Sequence, residues 1–260
     1  MGSLYGQDLA YIQAAAFGRL AKGAAPEIIR LLKSATIQIR KVVDVGCGAG
    51  PLTSALVEVG FEVTGIDSSA ELLAIACAAV PRAHFVNASI YDEEIPACEA
   101  IVALGESLTY HAEGVDADSL VQSFFQRASD ILPPGGMLIF DVIELGEPSL
   151  AGRFWSSGEE WAVLVDTWED QDFRTLVRNI ETFRRVDHLY RRGYEIHRVR
   201  LFDTGILCSQ LAACGFVTET AQFYGTQRLG PRRRAFFSTR IGQDLSVKTG
   251  TTAPFGRGAG

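Results

Sequence analysis

The stretch VVDVGCGAG at residues 42–50 constrains the fold of this chain more than any other. Its β-branched, apolar start predicts a buried strand. Gly46, Gly48 and Gly50 end that strand in a loop where the backbone turns sharply or lies against a ligand. A segment with helical spacing, PLTSALVEVG, follows, and a second strand, FEVTGID, comes after it. This order of elements predicts a βαβ unit.

The same alternation of strands and helices continues to about residue 143. The predicted helices are SAELLAIACAAV and DADSLVQSFFQRASDIL, and the predicted strands are AHFVNAS, EAIVALG and GGMLIFDVIE. After residue 203 a helix, TGILCSQLAACG, precedes two last strands, FVTETAQFYG and RRRAFFSTR. Seven strands with helices between them predict an α/β fold with a doubly wound, mostly parallel seven-stranded sheet.

Residues 144–203 differ in pattern from the rest of the chain. WAVLVDTWED, FRTLVRNIETFRRV and LYRRGYEIHRVRLF alternate apolar and polar residues at period two. That pattern predicts three antiparallel strands, exposed on one face, as an inserted antiparallel β layer. Helical spacing marks residues 10–21 and 26–33, and the Gly- and Thr-rich tail at 247–260 is expected to be disordered. We therefore expect a single domain over residues 1–246.

The composition limits the possible partners. The formal net charge of −7 argues against nucleic-acid binding, and the two basic clusters at 184–192 and 231–234 are expected to be solvated faces. No apolar stretch reaches the roughly 18 to 20 residues that span a membrane, and the N-terminus lacks a signal-peptide pattern, so we expect a cytoplasmic protein. Five cysteines without a CxxC pair predict reduced thiols and no metal site.

The glycine loop and two strand-end aspartates narrow the choice of cofactor. The spacing is G-x-G-x-G with Pro51 at the sixth position, which does not match a dinucleotide fingerprint, and no G-K-[ST] follows for a P-loop. Asp44 would repel a pyrophosphate and attract a cationic ligand, whereas Asp67, at the end of the second strand, suits ribose hydroxyls. These features predict a cofactor that has a ribose and a positive charge but no phosphate, and S-adenosylmethionine fits that description.

Five motifs then follow one another along the chain: VVDVGCGAG, TGIDSSAELL, FVNASIYD, AIVALGESLTY and LPPGGMLIFD. On these motifs the sequence strongly resembles the class I, Rossmann-like S-adenosylmethionine-dependent methyltransferase family, in its small-molecule type. The resemblance covers about residues 36–143 and resumes at LAACGF. It implies transfer of a methyl group from S-adenosylmethionine, with S-adenosylhomocysteine as the product.

The resemblance also implies which residues bind the cofactor. The glycine loop and Asp44 would line the methionine moiety, and Asp67 would bind the ribose. Residues that follow the second, third and fourth strands would flank the adenine and the sulfonium. Ser89 departs from the acidic residue that the family often has at the adenine edge. The full set is Asp44, Gly46, Cys47, Gly48, Asp67, Ser68, Leu72, Ser89, Ile90, Leu104 and Gly105.

Candidates for the acceptor site come from strand ends and from the segments that cover them. The resemblance implies that residues 1–35 form a helical lid, which carries Tyr5 and Tyr11 as substrate-binding candidates. The inserted layer adds Arg153 and Trp155. A general base is required only if the acceptor arrives protonated. The sequence does not choose among four catalytic candidates: Tyr110, His111, His197 and Glu106.

The sequence thus predicts an enzyme that methylates N or O of a small-molecule acceptor, and it leaves alternatives open. A protein or peptide acceptor fits the motifs, and so does a non-catalytic S-adenosylmethionine-binding module. Pro51 and Asp44 argue against a third alternative, a nucleotide-dependent oxidoreductase. Methylation of nucleic-acid amines would favour N-P-P-Y or D-P-P-Y after the fourth strand, where this chain has ALGESLTY. Neither the acceptor nor the oligomeric state follows from the sequence.

Overall fold

A computed structural model of the chain describes residues 4–111 and 114–242. The tail predicted to be disordered, 247–260, lies outside these residues. The helices of the described part are α1 (Gln7–Ala16), α2 (Arg19–Lys33), α3 (Pro51–Glu58), α4 (Ala70–Ala79), α5 (Ala117–Ile131) and α6 (Thr204–Ala213). Helices α3 to α6 lie between strands, as the alternation in the sequence predicts.

Helix α2 differs from its predicted bounds. The sequence predicts a break before Pro26, but the helix continues through this residue. Pro26 is exposed and removes one backbone hydrogen bond from the helix. The apolar face of the helix is buried against the sheet and outweighs that loss, through Ala24, Ala25, Ile28 and Leu32.

The strands form a central sheet, an attached antiparallel layer and a separate two-stranded antiparallel sheet made by β11 and β12. They are β1 (Lys41–Val45), β2 (Glu62–Asp67), β3 (His84–Asn87), β4 (Ala100–Ala103), β5 (Met137–Glu144), β6 (Gly152–Ser157), β7 (Trp161–Asp170), β8 (Thr175–Val186), β9 (Leu189–Phe202), β10 (Phe216–Ala221), β11 (Phe223–Tyr224), β12 (Gln227–Arg228) and β13 (Arg233–Arg240). The central sheet has the order β3-β2-β1-β4-β5-β13-β10. Strands β1 to β5 are parallel, and β13 is antiparallel to β5 and β10. The predicted doubly wound, mostly parallel seven-stranded sheet is confirmed.

Helices cover both faces of this sheet, so its central strands are apolar throughout. All four side chains of β4 are buried. On one face, Phe125 of α5 packs beside Phe140 of β5, whose ring stacks on Phe236 of β13 at a centroid distance of 4.6 Å. On the other face, α2 and α3 pack against β1, β4 and β5. Each such buried apolar side chain contributes about 1.5–3 kcal/mol.

The inserted layer has four antiparallel strands, in the order β9-β8-β7-β6, where the sequence predicts three. The missed strand is β6, which pairs with β7 and forms the outer edge of the layer. Its residues are almost all exposed, so burial imposes no period of two on its sequence. At the other edge, the end of β9 joins the end of β5 through the parallel pairs Ile143–Leu201 and Glu144–Phe202.

A buried arginine fastens this layer to the central sheet. Nε of Arg232 donates to the backbone oxygen of Glu144 at 2.8 Å. Its Nη1 lies 2.8 and 2.9 Å from the two carboxylate oxygens of Glu169 on β7, and it also donates to the backbone oxygen of Pro148. The side chains of Arg232 and Glu169 are 4% and 9% exposed. The pair therefore ties β7 to the carboxyl end of β5 in a poorly hydrated environment.

We expect Glu169→Ala to lower the free energy of unfolding by about 3 kcal/mol, because it leaves Arg232 buried without its counter-charge. The matched control is Glu160→Ala, which removes an exposed ion pair with Arg185 in the same layer and costs less than about 1 kcal/mol. Urea unfolding of both variants measures the difference. Equal losses of unfolding free energy in Glu169→Ala and Glu160→Ala would contradict a larger contribution from the buried pair.

Candidate active site

The glycine loop after β1 has the backbone conformation for which glycine is suited. Gly46, Gly48 and Gly50 have φ values of 65°, 55° and 81°, in the left-handed region. A Cβ at Gly46 would also lie 2.2 Å from Oγ of Ser107, in the segment after β4. The loop therefore packs closely against the end of β4, and substitution of Gly46 would displace one of the two segments.

A cavity of about 1300 Å³ opens over this loop, along the carboxyl ends of the parallel strands. Pockets for one small molecule usually measure about 300–1000 Å³, so this cavity has room for a cofactor and a second molecule. All the residues predicted to bind the cofactor line it: Asp44, Gly46, Cys47, Gly48, Asp67, Ser68, Leu72, Ser89, Ile90, Leu104 and Gly105. Four of the acceptor-site candidates line it as well: Tyr5, Glu106, Tyr110 and His111.

Two carboxyl groups stand at the ends of β1 and β2, beside the glycine loop. Asp44 is 2% exposed, and burial raises its pKa to about 7 although Oγ1 of Thr53 donates to it at 2.6 Å. Asp67 accepts hydrogen bonds from the backbone N–H groups of Gly48 and Ser69, both at 2.8 Å. Burial raises the pKa of Asp67 too. The cavity wall therefore attracts positive charge near β1 and holds the loop amide of Gly48 in place.

The chain turns sharply after β4, where Gly105 and Glu106 have φ values of 75° and 73°. A left-handed conformation at a non-glycine residue costs about 1–3 kcal/mol and persists where neighbouring contacts enforce it. Here the backbone oxygen of Glu106 accepts hydrogen bonds from the N–H and Oγ1 of Thr109, at 2.8 and 2.6 Å. Asp141 accepts a hydrogen bond from the N–H of Gly105 at 2.9 Å. These contacts hold the Glu106 side chain at the cavity wall.

Glu106 is paired with two arginines, which argues against its predicted role as a general base. Nη1 and Nη2 of Arg178, on β8, donate to its two oxygens at 2.8 and 3.2 Å, and Arg233, on β13, also donates to it. Burial alone would raise the pKa of Glu106, but the two guanidinium groups lower it to about 2. A carboxylate with so low a pKa is a weak proton acceptor at neutral pH.

Tyr5 and Tyr110 form a hydroxyl pair in the cavity wall, with an O–O distance of 2.9 Å. The ring of His197 lies behind them, with centroid distances of 4.9 Å to Tyr5 and 5.7 Å to Tyr110. His197 is 1% exposed and is not part of the cavity wall. It therefore packs behind the two tyrosines and does not reach the cavity wall, where a base in contact with the acceptor would lie. Burial raises the pKa of both tyrosines, so their hydroxyls stay protonated at neutral pH.

Glu195 connects this cluster to the N-terminal segment. Its carboxylate accepts hydrogen bonds from the N–H groups of Tyr5 and Gly6, at 2.8 and 3.0 Å, and its Oε2 lies 2.9 Å from Nε2 of His197. Oγ of Ser69 donates to the backbone oxygen of Tyr5 at 2.9 Å. The start of α1 is thereby fixed between the inserted layer and α4.

The other acceptor-site candidates have separate environments. His111 is partly buried in the cavity wall, and burial lowers its pKa, so it is neutral at pH 7. Tyr11 lies outside the cavity, beneath the guanidinium of Arg184 at 3.8 Å. Arg153 and Trp155 are on the outer strand β6, where their exposure is 88% for the arginine side chain and 73% for Trp155. The structure does not bring Tyr11, Arg153 or Trp155, which the sequence predicts to bind substrate, to this cavity.

Arg178, Arg198 and Arg233 line the cavity but are absent from the sequence predictions. Two of them come from the inserted layer, and Arg233 comes from the basic cluster 231–234, which the sequence suggests is a solvated face. That prediction is wrong, since Arg232 is buried and Arg233 lies against Glu106. The sequence signal for this placement is the position of the cluster at the start of β13, the strand that pairs with the carboxyl end of β5.

Within residues 4–111 and 114–242, no group of three or more His, Cys, Asp or Glu side chains is placed to hold a metal ion. No helix in these ranges is long and apolar enough to cross a membrane.

The fold and site together define an enzyme that binds a nucleoside cofactor. Its three features are a Rossmann-like sheet, a glycine loop after the first strand and an acidic residue at the end of the second strand. Residues 42–136 match the family described as "Methyltransferase domain". The "Putative methyltransferase YqeM" of Bacillus subtilis (strain 168) is 28% identical over 210 residues, which cover 77% of this chain and 83% of that protein. The chain therefore has a methyltransferase domain over residues 42–136 and the fold of the class I S-adenosylmethionine-dependent methyltransferases.

Solved structures agree with this fold. A S-adenosylmethionine-dependent methyltransferase from Clostridium acetobutylicum ATCC 824 has a TM-score of 0.75 at 19% identity, and the match covers 90% of this chain and 98% of that one. The sugar N-methyltransferase KedS8 from Streptoalloteichus sp ATCC 53650 has a TM-score of 0.73 at 20% identity, with coverage of 93% and 98%. At these identities the similarity establishes the fold.

We expect Glu195→Ala to release the start of α1, because Tyr5 and Gly6 lose the acceptor of their backbone N–H groups. Hydrogen–deuterium exchange of the N-terminal peptide should become faster by about fivefold or more, since a local opening needs less free energy. Glu181→Ala is the control, because Glu181 lies on the neighbouring strand and accepts a hydrogen bond from Arg192 of β9. Unchanged exchange in Glu195→Ala would show that other contacts fix the segment.

Proposed function

We propose that this enzyme transfers the methyl group of S-adenosylmethionine to N or O of a small-molecule acceptor. The observation that carries the proposal is a single cavity large enough for two molecules, with the glycine loop at one end and the inserted layer at the other. Among similar proteins, one solved structure is a sugar N-methyltransferase. A relative in Chelativorans sp. (strain BNC1), 30% identical over 142 residues, is a ubiquinone biosynthesis O-methyltransferase.

In the proposal, the cofactor occupies the end of the cavity that β1 and β2 form. Asp67 accepts hydrogen bonds from the ribose hydroxyls. Ser68, Leu72, Ser89 and Ile90 surround the adenine. Asp44, Gly46, Cys47 and Gly48 line the methionine portion, where a carboxylate favours the cofactor's positive charge. Leu104 and Gly105 then place the sulfonium at the end of β4, next to Tyr5 and Tyr110.

The chemistry proposed for this geometry is an in-line displacement. A lone pair on the acceptor N or O forms a bond to the methyl carbon while the carbon–sulfur bond breaks. S-adenosylmethionine, when bound, would supply the methyl carbon and keep the electrons of the broken bond as the neutral thioether of S-adenosylhomocysteine. The acceptor then releases a proton if it carried one. Alignment of the reactants supplies most of the rate gain, up to about 7–11 kcal/mol for ideal positioning.

Among the cavity-lining groups, His111 is the best-placed proton acceptor. Its imidazole is neutral at pH 7 because burial lowers its pKa, whereas Glu106 is held ionised by its arginines. The hydroxyl pair of Tyr5 and Tyr110 stays protonated and orients the acceptor by hydrogen bonds. His197 and Glu195 act through Tyr5 as positioning residues.

The proposal places the enzyme in the cytoplasm. Support comes from Cys47, Cys77, Cys98, Cys208 and Cys214, all of which are free thiols. Free thiols persist in reducing compartments, whereas oxidising compartments favour their pairing.

A direct test incubates the protein with methyl-labelled S-adenosylmethionine and a fractionated metabolite extract. We expect label in a small molecule. The control is Asp67→Ala, whose affinity for S-adenosylmethionine should fall by about tenfold or more, or about 1.4 kcal/mol. Label in protein alone would replace the small-molecule acceptor with a protein acceptor, and no label in any fraction would favour a non-catalytic binding module.

The pKa of Asp44, raised to about 7, predicts that cofactor affinity depends on pH. Asp44 becomes anionic as the pH rises through this value, so S-adenosylmethionine should bind about five- to tenfold more tightly at about pH 7.5 than at about pH 6. An α-amino group has a pKa of about 7.7–8.0, so the amino group of S-adenosylmethionine stays mostly protonated between about pH 6 and about pH 7.5. Calorimetry of Asp44→Asn should show a flat profile. A flat profile for the unmodified protein would remove Asp44 from the cofactor site.

A further inference from the structure

Asp141 is a buried carboxyl group that the proposed chemistry does not use. It ends the motif LPPGGMLIFD and directly follows the last paired residues of β4 and β5, Ala103 and Phe140. Its exposure is 0%, and it is not part of the cavity wall. Burial of a carboxyl group costs free energy unless hydrogen bonds or counter-charges compensate for the lost hydration. The position of Asp141 therefore needs an explanation.

One oxygen of Asp141 holds the turn that follows β4. Its Oδ2 accepts a hydrogen bond from the backbone N–H of Gly105 at 2.9 Å. Gly105 has a φ of 75° and lines the cavity together with Leu104, at the point proposed for the sulfonium. The hydrogen bond therefore joins a residue outside the cavity to the part of the wall that is proposed to lie next to the reacting atoms.

The same oxygen accepts a second hydrogen bond, from the hydroxyl of Tyr224 at 3.3 Å. Tyr224 is 0% exposed, and its ring meets that of Phe237 edge to face at a centroid distance of 5.6 Å. Burial and the nearby Asp141 raise the pKa of Tyr224, so its hydroxyl keeps its proton and is the donor. Tyr224, Asp141 and Gly105 thus form a buried chain of hydrogen bonds that ends at the cavity wall.

The other end of this chain lies against α2. The tyrosine belongs to β11, which forms a hairpin with β12. A Cβ at Gly23 of α2 would collide with the side chain of Gln227 in β12, so the helix and the hairpin are in close contact. Helix α2 also supplies Leu20, Ala21 and Lys22 to the cavity wall. The hairpin therefore packs between two parts of the wall, the helix α2 and the turn after β4.

We propose that Asp141 is a positioning residue for methyl transfer, which sets the turn after β4 against the bound cofactor and is itself held by Tyr224. This role deepens the proposed function and rests on it. Asp141 acts through Gly105 and touches neither the cofactor nor the acceptor. An in-line displacement depends strongly on alignment, and a displacement of about 1 Å can lower the rate by about 100-fold. Most of the proposed cofactor contacts lie at the ends of β1 to β3, so a shift of this turn costs rate more than cofactor affinity.

Arg233 provides the competing explanation. Its Nε lies 3.5 Å from Oδ1 of Asp141, an oxygen that has no hydrogen-bond partner among the described residues. If Asp141 only balances the charge of this arginine, Asp141→Asn and Asp141→Ala are equally harmful, because both remove the charge. A positioning role predicts that Asp141→Asn keeps much of the activity, because its amide oxygen still accepts the N–H of Gly105.

The first experiment compares rates of methyl transfer at saturating S-adenosylmethionine, with the metabolite fraction that the unmodified protein labels. We expect Asp141→Ala to lower the initial rate by about 100-fold, and Asp141→Asn and Tyr224→Phe to lower it by about three- to tenfold. The Kd for S-adenosylmethionine, from calorimetry, should change by less than about threefold. The control is Ser238→Ala, which removes a buried hydroxyl contact with Thr218 between β13 and β10 and should keep the rate within about twofold.

The second experiment does not require the acceptor. Hydrogen–deuterium exchange of the protein loaded with S-adenosylhomocysteine is followed in the peptide that contains residues 104–108. Its exchange should become faster by about fivefold or more in Asp141→Ala and by about twofold or more in Tyr224→Phe, and it should not change in Ser238→Ala. If Asp141→Ala does not bind S-adenosylhomocysteine, the comparison of Tyr224→Phe with Ser238→Ala decides.

The outcomes separate the positioning role from the proposed function. Equal rates in Asp141→Asn and Asp141→Ala overturn it, and so does a loss of S-adenosylmethionine affinity as large as the loss of rate. Unchanged rate and exchange in Tyr224→Phe overturn the part assigned to Tyr224. If no small molecule is labelled, the proposed function fails, and exchange in residues 104–108 alone decides whether Asp141 sets the turn.

Discussion

The carboxylate of Glu106 is the interaction on which the rest of the site depends. It follows β4 in the central sheet and pairs with Arg178 of the inserted layer and Arg233 of the last strand. Removal of one partner from a buried ion pair costs about 3–5 kcal/mol, so the three elements are held in one arrangement at the cavity wall. The left-handed backbone at Glu106 is compatible with that arrangement because Thr109 and the two arginines oppose its relaxation.

A second set of contacts joins the N-terminal segment to the same wall. Asp8 is buried and bonded to Arg191, while Leu9 and Ile12 pack on Val163 and Ile180 of the inserted layer. These contacts bring the Tyr5 ring to the cavity from a part of the chain remote in sequence. The segment expected to be a lid is thus held by polar contacts at its start and by apolar contacts along α1.

The sequence predicts the sheet and the half of the cavity that we propose for the cofactor, because the signals for both are local. Strand ends of a parallel sheet meet at one edge, so Asp44 and Asp67 could be placed together from their positions alone. The acceptor half depends on which face each antiparallel residue occupies, and a shift by one residue reverses that face. In β9 the imidazole of His197 points inward while Ile196 is 40% exposed, the reverse of what polarity suggests. Arg178 and Arg233 reach Glu106 through pairing that no local pattern reports.

The attachment of the inserted layer has a consequence for how such an enzyme diversifies. The loops after β1 to β4 line one side of the cavity within residues 44–111, whereas β8 and β9 of the inserted layer contribute Arg178, Ile196 and Arg198 to the opposite wall. The inserted layer is joined to the central sheet by specific contacts, such as the ion pair of Arg232 with Glu169 and the short parallel pairing of β9 with β5. Mutations in the inserted layer can therefore alter one side of the cavity and leave the glycine loop unchanged. Selectivity for the methyl acceptor can then evolve independently of binding of the methyl donor.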